Sequence, residues 1–204
     1  MLTAVSVRSY GAAEYNKKEI CRYAGAALGN EDLDLLIDEC IGEINENTLG
    51  RVCYREFDVA KKDGILDLGF VKTSSSDLAK NLDGCESIIL FGATVGFDID
   101  RLISKYSRVS PLKALVFEAI GAERVELLCD TFAREIAKEK NAIGKACRAR
   151  FSPGYGDLPL EIQREIVSVL DCQRKIGLTL NSSLLMSPSK SVTAIIGVYP
   201  EKAR

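Results

Sequence analysis

Helix-like and strand-like segments do not alternate along this 204-residue chain, and that irregular order narrows the folds open to it. Two helical stretches come first, at 13–27 and 31–46. In the second, Leu33, Leu36, Ile37, Cys40, Ile41 and Ile44 fall on one face. Asn30 supplies an N-cap and Gly50 lies beyond the end. A hairpin follows, with 51–60 and 65–71 as strands and Lys62-Asp63-Gly64 as the turn. Ser75, Ser76 and Asp77 open a short helix that ends at Gly84. Ser87 to Phe91 reads as a buried strand, Asp98 to Tyr106 as a helix, and 111–140 as a long helical run with Pro111 at its start. Residues 146–152 form a short strand, Leu160 to Lys175 an amphipathic helix closed by Gly177, and Ser191 to Val198 a last strand. Regular βαβ repeats are missing, so the expected class is α+β.

Composition removes several functions. The chain is 47% hydrophobic, enough for one substantial core. A net charge of -2 and a pI near 5.4 exclude nonspecific binding to nucleic acid or to an anionic membrane. No apolar run approaches membrane-spanning length, and the start MLTAVSVRSYGAAEYNKKE lacks the pattern of a signal peptide, so a cytoplasmic location is expected. The seven cysteines are widely spaced and contain no C-x-x-C, which fits reduced thiols better than a zinc site or a disulfide framework. Cys129, Cys147 and Cys172 read as core thiols. There is no histidine, which excludes Ser-His-Asp and Cys-His catalysis, imidazole metal ligation and a histidine base for cobalamin.

The segment Arg150-Phe151-Ser152-Pro153-Gly154-Tyr155-Gly156-Asp157-Leu158-Pro159 is the richest in binding chemistry. A guanidinium can grip a carboxylate with two parallel hydrogen bonds. Pro153 stiffens the turn, Gly154 and Gly156 leave the main chain open to a ligand, and Tyr155 offers a flat ring. Together these suit a small zwitterion. On chemistry alone, the simpler reading is an ordinary loop between a strand and a helix. Other residues also have plain readings. Asp130 points away from the stripe Val125, Leu128, Cys129, Phe132 and Ile136, as a solvated carboxylate does. Gly92 and Gly96 read as turn formers, since the G-x-G-x-x-G spacing of a dinucleotide fold is missing. Gly121 marks a helix break or a close packing point. Tyr10, Tyr15 and Tyr23 are too scattered to suggest a stacking platform.

The order of motifs resembles the activation (reactivation) domain of cobalamin-dependent methionine synthase. The family's Arg-x-x-Pro-Gly-Tyr signature is matched by Arg150, Pro153, Gly154 and Tyr155. A Gly, a Leu-Thr/Asn-x-Ser stretch and Met-x-Pro before the last strand are matched by Gly177, Leu180-Asn181-Ser182-Ser183 and Met186-Ser187-Pro188. Upstream, Pro111-Leu112-Lys113-Ala114 through Val125-Glu126 resembles the family's central helices. The likeness runs from about residue 50 to 200. It implies one curved α+β domain with an antiparallel or mixed sheet flanked by helices, a single activation-type domain over 1–204, with a helical part at 1–50 and the family core at 51–204.

The resemblance implies S-adenosylmethionine binding in support of reductive methylation of cob(II)alamin. The cobalamin would sit on a methionine synthase chain, and a flavodoxin-type reductant would supply the electron. It places Arg150 on the ligand's carboxylate, the main chain of Ser152 and Gly154 on the adenosine or methionine portion, Tyr155 in the pocket wall and Asp130 on the ammonium. Phe151, Pro153, Ser187 and Ser191 would line the cleft. Ser152 stands for the family's Ala, Gly156 for a Pro and Gly144 for a second acid, and the chain stops at Arg204 where longer relatives continue. The homocysteine, folate and cobalamin segments are missing, which implies a free-standing subunit acting in trans. An alternative is a non-catalytic module that docks on a corrinoid protein with a degraded ligand pocket. A methyltransferase for another acceptor ranks last, because no methyltransferase glycine loop is present.

Overall fold

The computed structural model describes residues 4–26, 31–44 and 50–201. Its centre is an antiparallel five-stranded sheet in the order β1-β2-β6-β10-β7. The strands are β1 (Ser6–Tyr10), β2 (Gly50–Asp58), β6 (Ser87–Thr94), β7 (Lys145–Cys147) and β10 (Ser191–Pro200). Helices cover both faces. On one side lie α1 (Lys17–Tyr23), α2 (Glu31–Glu43), α4 (Asp98–Tyr106) and α5 (Pro111–Asn141). On the other lie α3 (Ser76–Asn81), α6 (Gln163–Val169) and α7 (Cys172–Ile176), with a small sheet of β3 (Ala60–Lys62), β4 (Ile65–Asp67) and β5 (Lys72–Thr73). A last pair, β8 (Thr179–Leu180) and β9 (Met186–Ser187), follows α7. The α+β class with a curled antiparallel sheet flanked by helices is therefore correct.

Covering both faces explains the sequence of β6. Ile89, Phe91 and Ala93 enter the core on the α5 side, while Ile88 and Leu90 enter the core on the α7 side. All eight residues of β6 are buried, so the strand reads as an apolar run rather than an alternation. Two glycines in the central strands face the α7 side and set the spacing of that layer. A Cβ on Gly92 would lie 3.0 Å from Cys172 Sγ, and one on Gly197 would lie 2.7 Å from both Cys85 Sγ and Leu82 Cδ2. Gly92 is thus a packing residue within β6, not a turn former, whereas Gly96, at φ +87°, does turn the chain.

Other differences have local causes. The expected 51–60/65–71 hairpin divides. Residues 50–58 join the main sheet, and only β3 and β4 pair across the turn, where Asp63 (φ 52°) and Gly64 (φ 78°) are both left-handed. The helix expected from Leu160 to Lys175 begins as a 3-10 turn and breaks into α6 and α7 at Asp171, which is itself left-handed. The first helix is shorter than 13–27 and starts where the Asn16 side chain accepts from Glu19 N. Asn30 lies outside the described residues. The N-terminal part holds an edge strand as well as helices. β1 has only weak apolar alternation and is secured by side chains: Arg8 reaches Glu135 at 3.0 Å, and the Tyr10 hydroxyl donates to Glu135 at 2.6 Å.

Helix α5 runs unbroken for 31 residues. Gly121 does not break it but lets Lys190 cross, since a Cβ there would lie 2.8 Å from the lysine stem. No helix among the described residues is long and apolar enough to cross a membrane.

Candidate functional site

The loop after β7 runs along the sheet edge. Phe151 bridges to Ile195 of β10, with its N–H and C=O each 2.8 Å from their partners. That bridge sends successive side chains to opposite faces. Phe151 enters the core on the α7 side, and Arg150 turns to α5. There its Nη2 pairs with Glu126 and lies 3.2 Å from Asp130 Oδ1. Glu126 and Asp130 are one helical turn apart, so both carboxylates meet one guanidinium. Burial alone would lower the Arg150 pKa, but Cys129, Glu126 and Asp130 together raise it. Its Nη1 is buried without a protein partner, which leaves a donor for a further acceptor.

Beyond Arg150 the chain closes on itself. Tyr155 N donates to Ser152 O and Gly154 N donates to Leu158 O, with Gly154 at φ +85°. Pro153 and Leu158 are buried beneath the turn. Tyr155 is 69% exposed, its ring edge-on to Phe151 with centroids 5.3 Å apart. The residue that fixes the loop is Asp157. Its carboxylate accepts from the Ser75 hydroxyl, from Ser76 N at 2.7 Å and from Asp77 N at 3.2 Å, so it caps α3 from a distance. The Ser75 hydroxyl, then the Ser76 main chain, holds the Asp157 carboxyl well below the usual carboxylate range. Gly156 permits this approach, because a Cβ on it would lie 2.6 Å from Asp77 Oδ2. The expected looseness at Gly156 is thus offset by the anchor at Asp157.

Arg150, Ser152, Gly154, Tyr155, Phe151 and Pro153 therefore share one loop, and Asp130 is brought to its first residue. Ser187 and Ser191 are not brought to Arg150. Ser187 lies on β9 and is exposed, and its carbonyl accepts from Thr179 Oγ1. The Ser191 hydroxyl lies 2.8 Å from both Thr94 Oγ1 and the carbonyl of Pro188. Ser191 also faces the α7 side, as Ile195 does, away from Arg150. Glu126 escaped the sequence reading, although its i,i+4 spacing from Asp130 was the available signal.

A cavity lies elsewhere. It measures about 530 Å³ and is lined by Tyr10, Tyr15, Ile41, Ile44, Leu128 and Arg124 among others. Arg124 and Leu128 sit on the flank of α5 opposite to Glu126 and Asp130, by the 100° advance per residue of a helix. Scattered in sequence, Tyr10 and Tyr15 meet here. None of Arg150, Glu126 and Asp130 lines this cavity.

No protein-family profile matches this sequence, and no curated protein matches it. A solved structure does: the MetH reactivation domain bound to AdoHcy, with a TM-score of 0.64 over 100% of this chain and 81% of that one. The chain has the reactivation-domain fold. Sequence identity is 12%, so the likeness establishes architecture and leaves the site to be argued from its own residues.

The residues at Arg150 suit a ligand that carries both a carboxylate and an ammonium. A carboxylate needs a donor that the protein has not used, and Arg150 Nη1 is one. An ammonium needs carboxylate acceptors, and Asp130, 61% exposed at its side chain, is open to solvent beside it. Among the described residues there is no cluster that would hold a metal ion.

Proposed function

We propose that this chain is an S-adenosylmethionine-binding reactivation protein. It supports reductive methylation of cob(II)alamin carried by a methionine synthase on another chain, with the electron from a flavodoxin-type reductant. The observation that carries the reading is the buried, unpartnered Nη1 of Arg150 beside Asp130, at the base of a loop with the Arg-x-x-Pro-Gly-Tyr pattern. The fold adds weight, since a domain of the same architecture has been solved with AdoHcy bound. S-adenosylmethionine would supply an electrophilic methyl group. The protein's task is then to orient and concentrate it, which needs no protein base and suits a chain without histidine. Arg150 holds the ligand carboxylate, Asp130 faces its ammonium, and the turn of Ser152 to Tyr155 provides main chain and a ring for the adenosine. In this reading the cobalamin is held by the partner, and the work is cytoplasmic.

The test is reconstitution. The protein, a reductant and S-adenosylmethionine are added to an inactive cob(II)alamin methionine synthase that lacks its own activation domain. The cobalamin spectrum should return to the methylated form. No return with a competent partner would sink the reading. A second reading is favoured by one observation: Arg150 already has two carboxylates on it. In that reading the chain docks on a corrinoid protein without using a ligand, and pull-down of that protein would be independent of S-adenosylmethionine.

A further inference from the structure

We infer that Glu126 makes the site at Arg150 selective for a cationic sulfonium ligand over its neutral thioether product. The inference rests on the ligand reading above and adds a specificity to it. An amino-acid end with one carboxylate and one ammonium needs one cation and one anion from the protein. Arg150 and Asp130 are sufficient. Glu126 is a second carboxylate on the same guanidinium, so the three side chains carry one net negative charge. S-adenosylmethionine carries one net positive charge through its sulfonium. Once the methyl group has left, S-adenosylhomocysteine has a neutral sulfur and no net charge. The surplus carboxylate therefore attracts the donor and gives the product nothing, which favours loading with the one and release of the other.

Other nearby charges do not cancel it. Arg134, one turn beyond Asp130, donates to the Asp130 carbonyl at 3.3 Å and to Thr131 Oγ1 at 3.1 Å. Its guanidinium is thereby drawn towards the Thr131 flank, and the side chain is exposed and screened by water. Glu123 and Arg124 pair with each other, with Nε and Oε2 2.6 Å apart. Glu126 is itself part-exposed, so the preference is modest: about three- to tenfold for one charge acting across a few ångströms of largely aqueous medium.

Titration calorimetry of the whole chain with S-adenosylmethionine and with S-adenosylhomocysteine tests this. The wild type should bind the sulfonium more tightly, by about three- to tenfold at low salt. Glu126→Gln should bring the ratio of the two affinities close to one. Glu19→Gln, which removes the same charge from α1, where Glu19 pairs with Arg22 and not with Arg150, should leave the ratio alone. The ratio removes any effect of Glu126 on folding or on the position of Arg150, since both ligands feel those equally. Raising ionic strength should shrink the wild-type ratio, a readout that needs no variant. If both ligands bind and the ratio is the same in wild type and Glu126→Gln, or insensitive to salt, the charge selection is wrong and the ligand reading stands. If the folded wild type binds neither, the ligand reading fails and takes this inference with it.

Discussion

At the scale of single residues, the site is built by groups that pull on the loop from its two ends. Arg150 is held by α5 at one end, and Asp157 is held by the first turn of α3 at the other. These are charge-assisted hydrogen bonds, stronger than neutral ones but local in effect where water reaches them. Asp157→Ala should free the main-chain N–H groups of Ser76 and Asp77. Hydrogen exchange at those two amides should speed up while amides of β6 keep their protection, and unchanged exchange at Ser76 would show that Asp157 is not the anchor. Arg150→Ala deletes the proposed carboxylate grip. It should weaken S-adenosylmethionine by about 10- to 100-fold, the usual worth of a hydrogen bond to a charged group. An affinity equal to wild type would place the ligand's carboxylate elsewhere.

At the scale of elements, the two helical layers are attached to the sheet in different ways. On the α5 side, charges tie helix to helix. Glu43 at the end of α2 accepts from the Tyr106 hydroxyl at 2.6 Å and pairs with Lys113 at 2.9 Å and Lys105 at 3.3 Å. The Tyr106 hydroxyl, then the lysines, holds the Glu43 carboxyl down to about 2 from its ordinary 4.5. A carboxyl with a lowered folded pKa adds stability above the ordinary value and loses it as pH falls towards the folded one. Wild type should therefore exceed Glu43→Gln in urea unfolding above pH 4.5, with the gap closing as pH falls towards about 2. A gap independent of pH would assign the effect to shape rather than charge. On the α7 side the attachment is close contact across glycine. Gly197→Val would drive a side chain into Leu82 and Cys85 and should cost about 1–3 kcal/mol by overpacking. Circular dichroism melts would detect it, and a neutral result would mean that α3 can shift.

At the scale of the whole molecule, the sheet carries a wide helical layer on one face and a layer of shorter elements on the other, and the proposed site sits at the edge where the two meet. Ligand that binds only the folded protein stabilises the whole of it, by about 2.7 kcal/mol at a hundred times its dissociation constant. S-adenosylmethionine should therefore raise the melting temperature in a concentration-dependent way, and Arg150→Ala should flatten that dependence. Equal shifts in wild type and variant would move the binding site away from Arg150. The cavity at Tyr10 and Tyr15 would then be the next place to look.

Local features could be read directly from the residues, because they depend on near neighbours in the chain. The apolar run of β6, the helices at 31–43 and 98–106, the long helix from Pro111, the Asp63-Gly64 turn and the α+β class all followed from periodicity, element order and turn chemistry. The Arg150 loop could be found as a motif, and Asp130 as a carboxylate turned from its own helix's core. What the sequence could not supply was who meets whom across long separations. Glu126 and Asp157 became part of the site only when α5 and α3 were set beside the loop, 24 and 81 residues away in the chain. Gly92 changed from punctuation to packing once Cys172 was opposite it, and Gly121, open between a break and close packing, proved to be packing once Lys190 was opposite it. Residues 50–58 left their expected hairpin because pairing on both sides with β1 and β6 offers more than one short partner strand. Hydrogen-bond partners in a sheet and charges on facing helices are chosen by the packing of whole layers. No single stretch of sequence contains that information, and so the tertiary structure decided it.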